Sequence, residues 1–215
     1  PIAVLYPTLL VGLPKHITST TGMDALTHAV EAFIGHANTK KTYKYGIEAT
    51  QLIFKYLEKS VNEPQNLEYR EQMQIASYKA GVAFTRAYVG TVHAVAHSLG
   101  GQYNVPHGLA NAIILPKVLR RYGKKADKKL SILADAVGIG EGLSRHSKAI
   151  LFIEEIEKMN ERMGITNTFG NLIKDEDIPF LVKHAYKEGV PLYPTPRILL
   201  KKELFELYKD IQQEK

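Results

Sequence analysis

The stretch Gly90-Thr-Val-His-Ala-Val-Ala-His-Ser-Leu-Gly-Gly-Gln-Tyr-Asn-Val-Pro-His-Gly-Leu-Ala-Asn-Ala112 decides how this chain is read. Val92 to Leu99 shows apolar and small residues at helical spacing, with no strand alternation. His93 and His97 are four residues apart, so on a helix they share one face about a turn apart. Gly100-Gly101 is expected to stop this helix, and Gln102–Gly108, with Pro106, to form a loop. Leu109–Tyr122 resumes helical spacing up to Pro116, where a kink or break is expected. His107 then stands at the start of the second helix, across a turn that folds the chain back.

Outward from this stretch, helical periodicity dominates and strand signals are scarce. Thr18-Ser19-Thr20-Thr21 offers several candidate N-caps, after which Met23, Ala25, Leu26, Ala29, Val30 and Phe33 recur at helical spacing to Gly35. A second helix is expected from about Tyr43 to Ser60, and Asn62–Pro64 breaks it. A third, about Glu68 to Ala87, is rich in the small residues that close helix packing needs. Lys128–Val137, Ser144–Arg162, Asp175–Glu188 and Lys201–Gln213 read as further helices. Val190-Pro-Leu-Tyr-Pro-Thr-Pro-Arg197 is expected to be irregular, because its prolines prevent both helix and central strand. Ile2–Leu13 reads as a strand or connector into the first helix. The expected fold is an all-α, multi-helix domain spanning residues 1–215.

Composition excludes several classes of function. The 215 residues include no cysteine, so disulfides, thiolate metal sites and cysteine nucleophiles are all ruled out. A cysteine-free chain fits a reducing compartment, and a cytoplasmic location is expected. No apolar run reaches the length that spans a bilayer. The net charge of +6 is densest from Lys117 to Lys129. That run carries no reader motif, so it reads as a solvated helix end and turn, with no nucleic-acid partner. The chain begins at Pro1 without a Met, as a processed product or part of a longer protein would.

The histidines carry the chemistry. Asp24 and His28 have the same i, i+4 relation as His93 and His97, so each pair can aim its polar atoms at a common centre. Helix-packing or surface histidines satisfied by backbone carbonyls are the plain alternative. It is weakened by the small, apolar setting of His93 to His107, where unpartnered imidazoles would be costly. Three imidazoles and a carboxylate suit Fe(II), Zn(II), Co(II) or Mn(II), and a histidine standing off the metal can carry a proton.

Two segments carry a specific resemblance. Thr21-Gly-Met-Asp-Ala-Leu-Thr-His-Ala-Val-Glu-Ala32 is similar to the first signature of the iron-containing (group III) alcohol dehydrogenases, and Gly90–Ala112 resembles the second. Pro191-Leu-Tyr-Pro-Thr-Pro-Arg197 is similar to that family's late proline-rich segment. The resemblance implies the C-terminal helical, metal-binding domain of the dehydroquinate synthase-like fold. It implies metal ligands at Asp24, His28, His93 and His107, with Fe(II) expected and Zn(II) also accepted by these donors. It places His97 near nicotinamide and substrate, in proton transfer, and Phe84 beside the nicotinamide ring.

The implied activity is NAD- or NADP-linked interconversion of primary alcohols and aldehydes, in a family whose members often form dimers. Those members are nearly twice this long. Here no Gly-rich phosphate-binding turn follows a strand, and Gly138-Ile-Gly-Glu-Gly142 reads as a helix–helix turn. Residues 1–16 are therefore expected to connect to an N-terminal nucleotide-binding domain outside this chain. A stand-alone, non-catalytic module that binds metal or a partner is the competing reading. Glu31, one turn beyond His28, is expected beside the site or on the surface, not over the metal as a general base.

Overall fold

Helix α1 (Lys15–Ile34) starts before its threonines, with Pro14 at the N-cap. The expected caps lie inside the helix instead, where Thr20 and Thr21 donate their hydroxyls to the carbonyls of His16 and Ile17, each at 2.7 Å. This satisfies the hydroxyls without ending the helix. The computed structural model describes residues 2–212, so Gln213, the last residue of the expected final helix, lies outside them. Within that range the chain is helical, with no strand among the described residues. The segment before α1 contains a short 3-10 turn, Pro7–Leu10, in place of a strand.

The other helices are α2 (Lys40–Asn62), α3 (Leu67–Ala87), α4 (Thr91–Tyr103), α5 (His107–Tyr122), α6 (Lys124–Ala136), α7 (Arg145–Arg162), α8 (Ile178–Gly189) and α9 (Lys201–Gln212). α1, α2 and α3 pack on one another, and α1 also packs on α5. α4 lies between α5 and α8, α8 carries α9, and α6 pairs with α7. α1 is buried on most of its circumference, through Met23, Leu26, Val30 and Phe33 among others. A helix apolar nearly all round belongs at the centre of a helical domain. No helix among the described residues is long and apolar enough to cross a membrane.

Two sequence signals for breaks do not break the chain. α4 continues through Gly100-Gly101 to Tyr103 and ends at Asn104, whose φ of 53° is left-handed. A mid-helix Gly costs only about 1 kcal/mol relative to Ala, whereas the left-handed Asn104 and the following Pro106 set the end. α5 likewise runs through Pro116. Proline has no N–H for the carbonyl of Ala112, four residues back, and Asn160 on α7 donates its Nδ2 to that oxygen at 2.7 Å. A buried side chain from another helix thus replaces the missing backbone bond.

The basic run is partly neutralised: Arg120 makes a forked pair with Glu157, at 3.0 and 2.6 Å, and Arg121 pairs with Asp210. Gly138–Gly142 falls between α6 and α7, as a helix–helix turn. Residues 190–200 contain no helix or strand.

Asn160→Leu should lower the free energy of unfolding by about 1–3 kcal/mol, because Ala112 is left with an unpaired buried carbonyl. Pro116→Ala restores the backbone donor, so the cost of Asn160→Leu should shrink markedly in that background. A denaturant double-mutant cycle checks this, and simple additivity would contradict it.

Candidate metal centre

Three helices meet at one cleft, and each brings a pair of residues four apart, on one face. α1 brings Asp24, His28 and Glu31, α4 brings His93 and His97, and α5 brings His107 and Asn111. Asp24 Oδ1 lies 3.3 Å from His107 Nε2, 3.7 Å from His93 Nε2 and 3.8 Å from His28 Nδ1. One ligating atom from each of the four residues falls within 4.8 Å of the other three. A tetrahedral cation with donors at about 2.0–2.2 Å spaces them about 3.4 Å apart. The donor set and its spacing therefore fit a divalent cation.

The cluster's electrostatics show how strongly these groups depend on one another. Burial would raise the Asp24 carboxyl, but hydrogen bonding with His107 and His93 overcomes it and holds the group well below the usual carboxylate range. Burial pushes His28 down, helped by the neighbouring His93. Burial acts the same way on His93, yet its hydrogen bonds to Asp24 and Glu31 prevail and push it up.

Glu31 sits beside the site, fully buried and not on the surface. Its carboxylate accepts from Gly90 N–H at 2.8 Å, Val92 N–H at 2.7 Å and His93 Nδ1 at 2.7 Å. The same carboxylate therefore caps the N-terminus of α4 and orients the imidazole of His93, whose Nε2 is turned toward Asp24. Gly90 permits this approach, since a Cβ there would stand 2.7 Å from Glu31 Oε1. Gly108 does the same for α5, because a Cβ there would meet the Thr20 carbonyl oxygen at 2.5 Å. Tyr122 O–H donates to Thr91 Oγ1 at 2.9 Å and ties the far end of α5 to the start of α4.

Sequence reasoning missed Asn111, although its i+4 spacing from His107 was a usable signal. Its Nδ2 lies 2.6 Å from Asp24 Oδ1, 3.0 Å from His107 Nε2 and 3.3 Å from His93 Nε2. Its Oδ1 is buried and has no partner among the described residues. The two amide ends are interchangeable in shape, and an oxygen turned to the cluster would find its partner in a cation.

The cleft above the cluster has a volume of about 350 Å³, and Phe84, Tyr88, Val89, His97 and Tyr193 help to line it. Phe84 stacks on His28 with ring centroids 4.2 Å apart, so the structure brings it to the site. His97 stacks on His107 at 5.3 Å. Its Nδ1 is 2.6 Å from Glu188 Oε1, an oxygen that also accepts from Tyr193 O–H at 2.6 Å. Glu188 and Tyr193 were not found from sequence, since both lie far along the chain and neither has a local pattern linking it to His97.

A model of the "Fe-containing alcohol dehydrogenase family, C-terminal" matches residues 18–212. The chain is 39% identical over 210 residues to a 1,3-propanediol dehydrogenase of Citrobacter freundii, covering 97% of this chain and 54% of that protein. It is 34% identical over 211 residues to an NAD-dependent methanol dehydrogenase of Bacillus methanolicus, covering 97% and 55%. The crystal structure of a 1,3-propanediol oxidoreductase superposes with a TM-score of 0.90 at 38% identity, covering 94% of this chain and 53% of that one. The chain belongs to the iron-containing alcohol dehydrogenase family and matches its C-terminal, all-helical part. It spans about half the length of these relatives.

Gly90→Ala should destabilise the chain by about 1–3 kcal/mol in denaturant titration, because the new methyl displaces the Glu31 carboxylate from two backbone amides. Wild-type stability would show that this approach tolerates a side chain.

Proposed function

We propose that this chain is the metal-binding half of an NAD(P)-linked oxidoreductase that interconverts small primary alcohols and aldehydes. Asp24, His28, His93 and His107 hold a divalent cation, with Fe(II) as the expected metal and Zn(II) compatible with the same donors. The observation that carries this reading is the convergence of four donors from three helices beside a cleft, with three imidazole nitrogens 3.3–3.8 Å from the Asp24 oxygen. The alcohol dehydrogenases among its relatives support the reaction class. The second half of the active site, a nucleotide-binding domain, is supplied by sequence preceding residues 1–16, which connect the two.

When bound, the cation supplies Lewis acidity toward an alcohol or carbonyl oxygen, and NAD(P) supplies the two-electron hydride acceptor. Glu31 holds His93 in the tautomer that presents Nε2 to the centre, with Nδ1–H bound to the carboxylate. Asp24 lends the cluster its negative charge. His97, beside the donors but outside their set, takes up or returns the proton of the substrate hydroxyl. Phe84 and Tyr193 wall the cleft and exclude water, and Phe84 is the flat surface against which a nicotinamide ring packs. The upstream coding sequence gives a quick check: a contiguous Gly-rich nucleotide-binding region removes the stand-alone-module reading.

Anaerobic purification followed by metal analysis of wild type, His93→Ala and His107→Ala tests the site, and equal metal content in all three would overturn it. Glu31→Gln should weaken metal affinity about 10- to 100-fold in chelator competition. In the complete enzyme, His97→Ala should keep its metal while kcat drops about 10²- to 10⁴-fold.

A further inference from the structure

His97 is held from outside the metal cluster. Glu188, at the C-terminal end of α8, takes the His97 Nδ1 hydrogen bond and the Tyr193 hydroxyl on the same oxygen, both at 2.6 Å. Burial works to raise the Glu188 carboxyl, but the bonds from His97 and Tyr193 outweigh it and keep the group ionised. An ionised carboxylate only accepts, so His97 must present N–H at Nδ1. The other ring nitrogen, Nε2, is then the one available to the cleft that His97 lines.

The His97 and Glu188 side chains are 44% and 31% exposed. A side-chain pair this open adds little to fold stability, which leaves orientation as the use of its geometry. α8 packs directly on α4, which brings the carboxylate to the ring from a different helix.

We infer that Glu188, braced by Tyr193, is a positioning residue that fixes the tautomer and ring plane of His97, leaving Nε2 as the nitrogen that exchanges a proton in the cleft. This rests on the proton-transfer role proposed for His97. The carboxylate itself touches no reacting atom in this scheme; it acts through the imidazole.

The test uses the complete, zinc-loaded enzyme with two substitutions of similar size. Glu188→Leu removes the acceptor, and Glu188→Gln keeps one oxygen for Nδ1–H. The expected result for Glu188→Leu is a fall in kcat of about 10- to 100-fold with KM and bound zinc near wild type. Glu188→Gln should recover most of that loss, and Tyr193→Phe should show a smaller loss in the same direction. Histidine ¹⁵N NMR should show the Nδ1–H tautomer of His97 in wild type and Glu188→Gln, and a mixture of tautomers in Glu188→Leu.

Wild-type kcat and an unchanged His97 tautomer in Glu188→Leu would overturn the inference. Loss of zinc in step with kcat would also overturn it, since Glu188 would then be maintaining the site's fold. If Glu188→Leu does not fold, Tyr193→Phe and Glu188→Gln carry the same NMR and kcat comparison, and a wild-type result in Tyr193→Phe removes the bracing role. His97→Ala separates the two layers: full activity there refutes the proton-transfer role itself, while the NMR measurement still reports whether Glu188 sets the tautomer.

Discussion

The buried carboxylate of Glu31 is the contact on which the rest of the site depends. It takes two backbone N–H groups at the start of α4 and the ring N–H of His93, so one residue of α1 sets both where α4 begins and how its first histidine points. A carboxylate enclosed this fully would be costly without partners. Here it meets three donors and the positive end of a helix. Gly90 has no side chain at the point of closest approach, which is what allows α1 and the α4 N-terminus to come together.

From that anchor, the neighbouring residues fall into a consistent order. α1 places Asp24 and His28 two turns and one turn before Glu31. α5 approaches α1 at Gly108, adjacent to His107, so the last donor of the cluster is delivered by a backbone contact. The result is one carboxylate among three imidazoles, and the ionisation of Asp24, His28 and His93 responds to these neighbours as well as to burial. Such a cluster resists burial as separate charges and is stabilised by a shared cation. With no cysteine in the chain, oxygen and imidazole nitrogen are the donors available, which favours metals of hard to borderline character.

Much of this was legible in the sequence, and the failures are instructive. Helical spacing correctly announced an all-α chain, and the i, i+4 pairs Asp24/His28 and His93/His97 announced residues that the structure gathers at one cleft. Three local signals misled. The threonine run 18–21 has good capping chemistry, but its hydroxyls also satisfy themselves on the preceding turn of the same helix. Gly100-Gly101 is weak punctuation, and α4 runs through it to the left-handed Asn104. Pro116 is strong punctuation, and Asn160, 48 residues beyond the carbonyl it serves, cancels its effect. Local propensity describes what a segment prefers alone, and at the threonines and at Pro116 a side-chain bond outside the propensity rule decided the outcome.

By itself the sequence determined the helical class and which of the candidate donors share a helix face, because an α-helix has one period and that period is written in the residue order. The tertiary structure alone decided which faces meet. It brought Glu31 to His93, Asn111 to Asp24, and Glu188 to His97, across separations of up to 91 residues. A helix repeat fixes direction around an axis but carries no information about the neighbour on the far side of the contact. The partners that orient the chemistry therefore became visible only once the helices were packed.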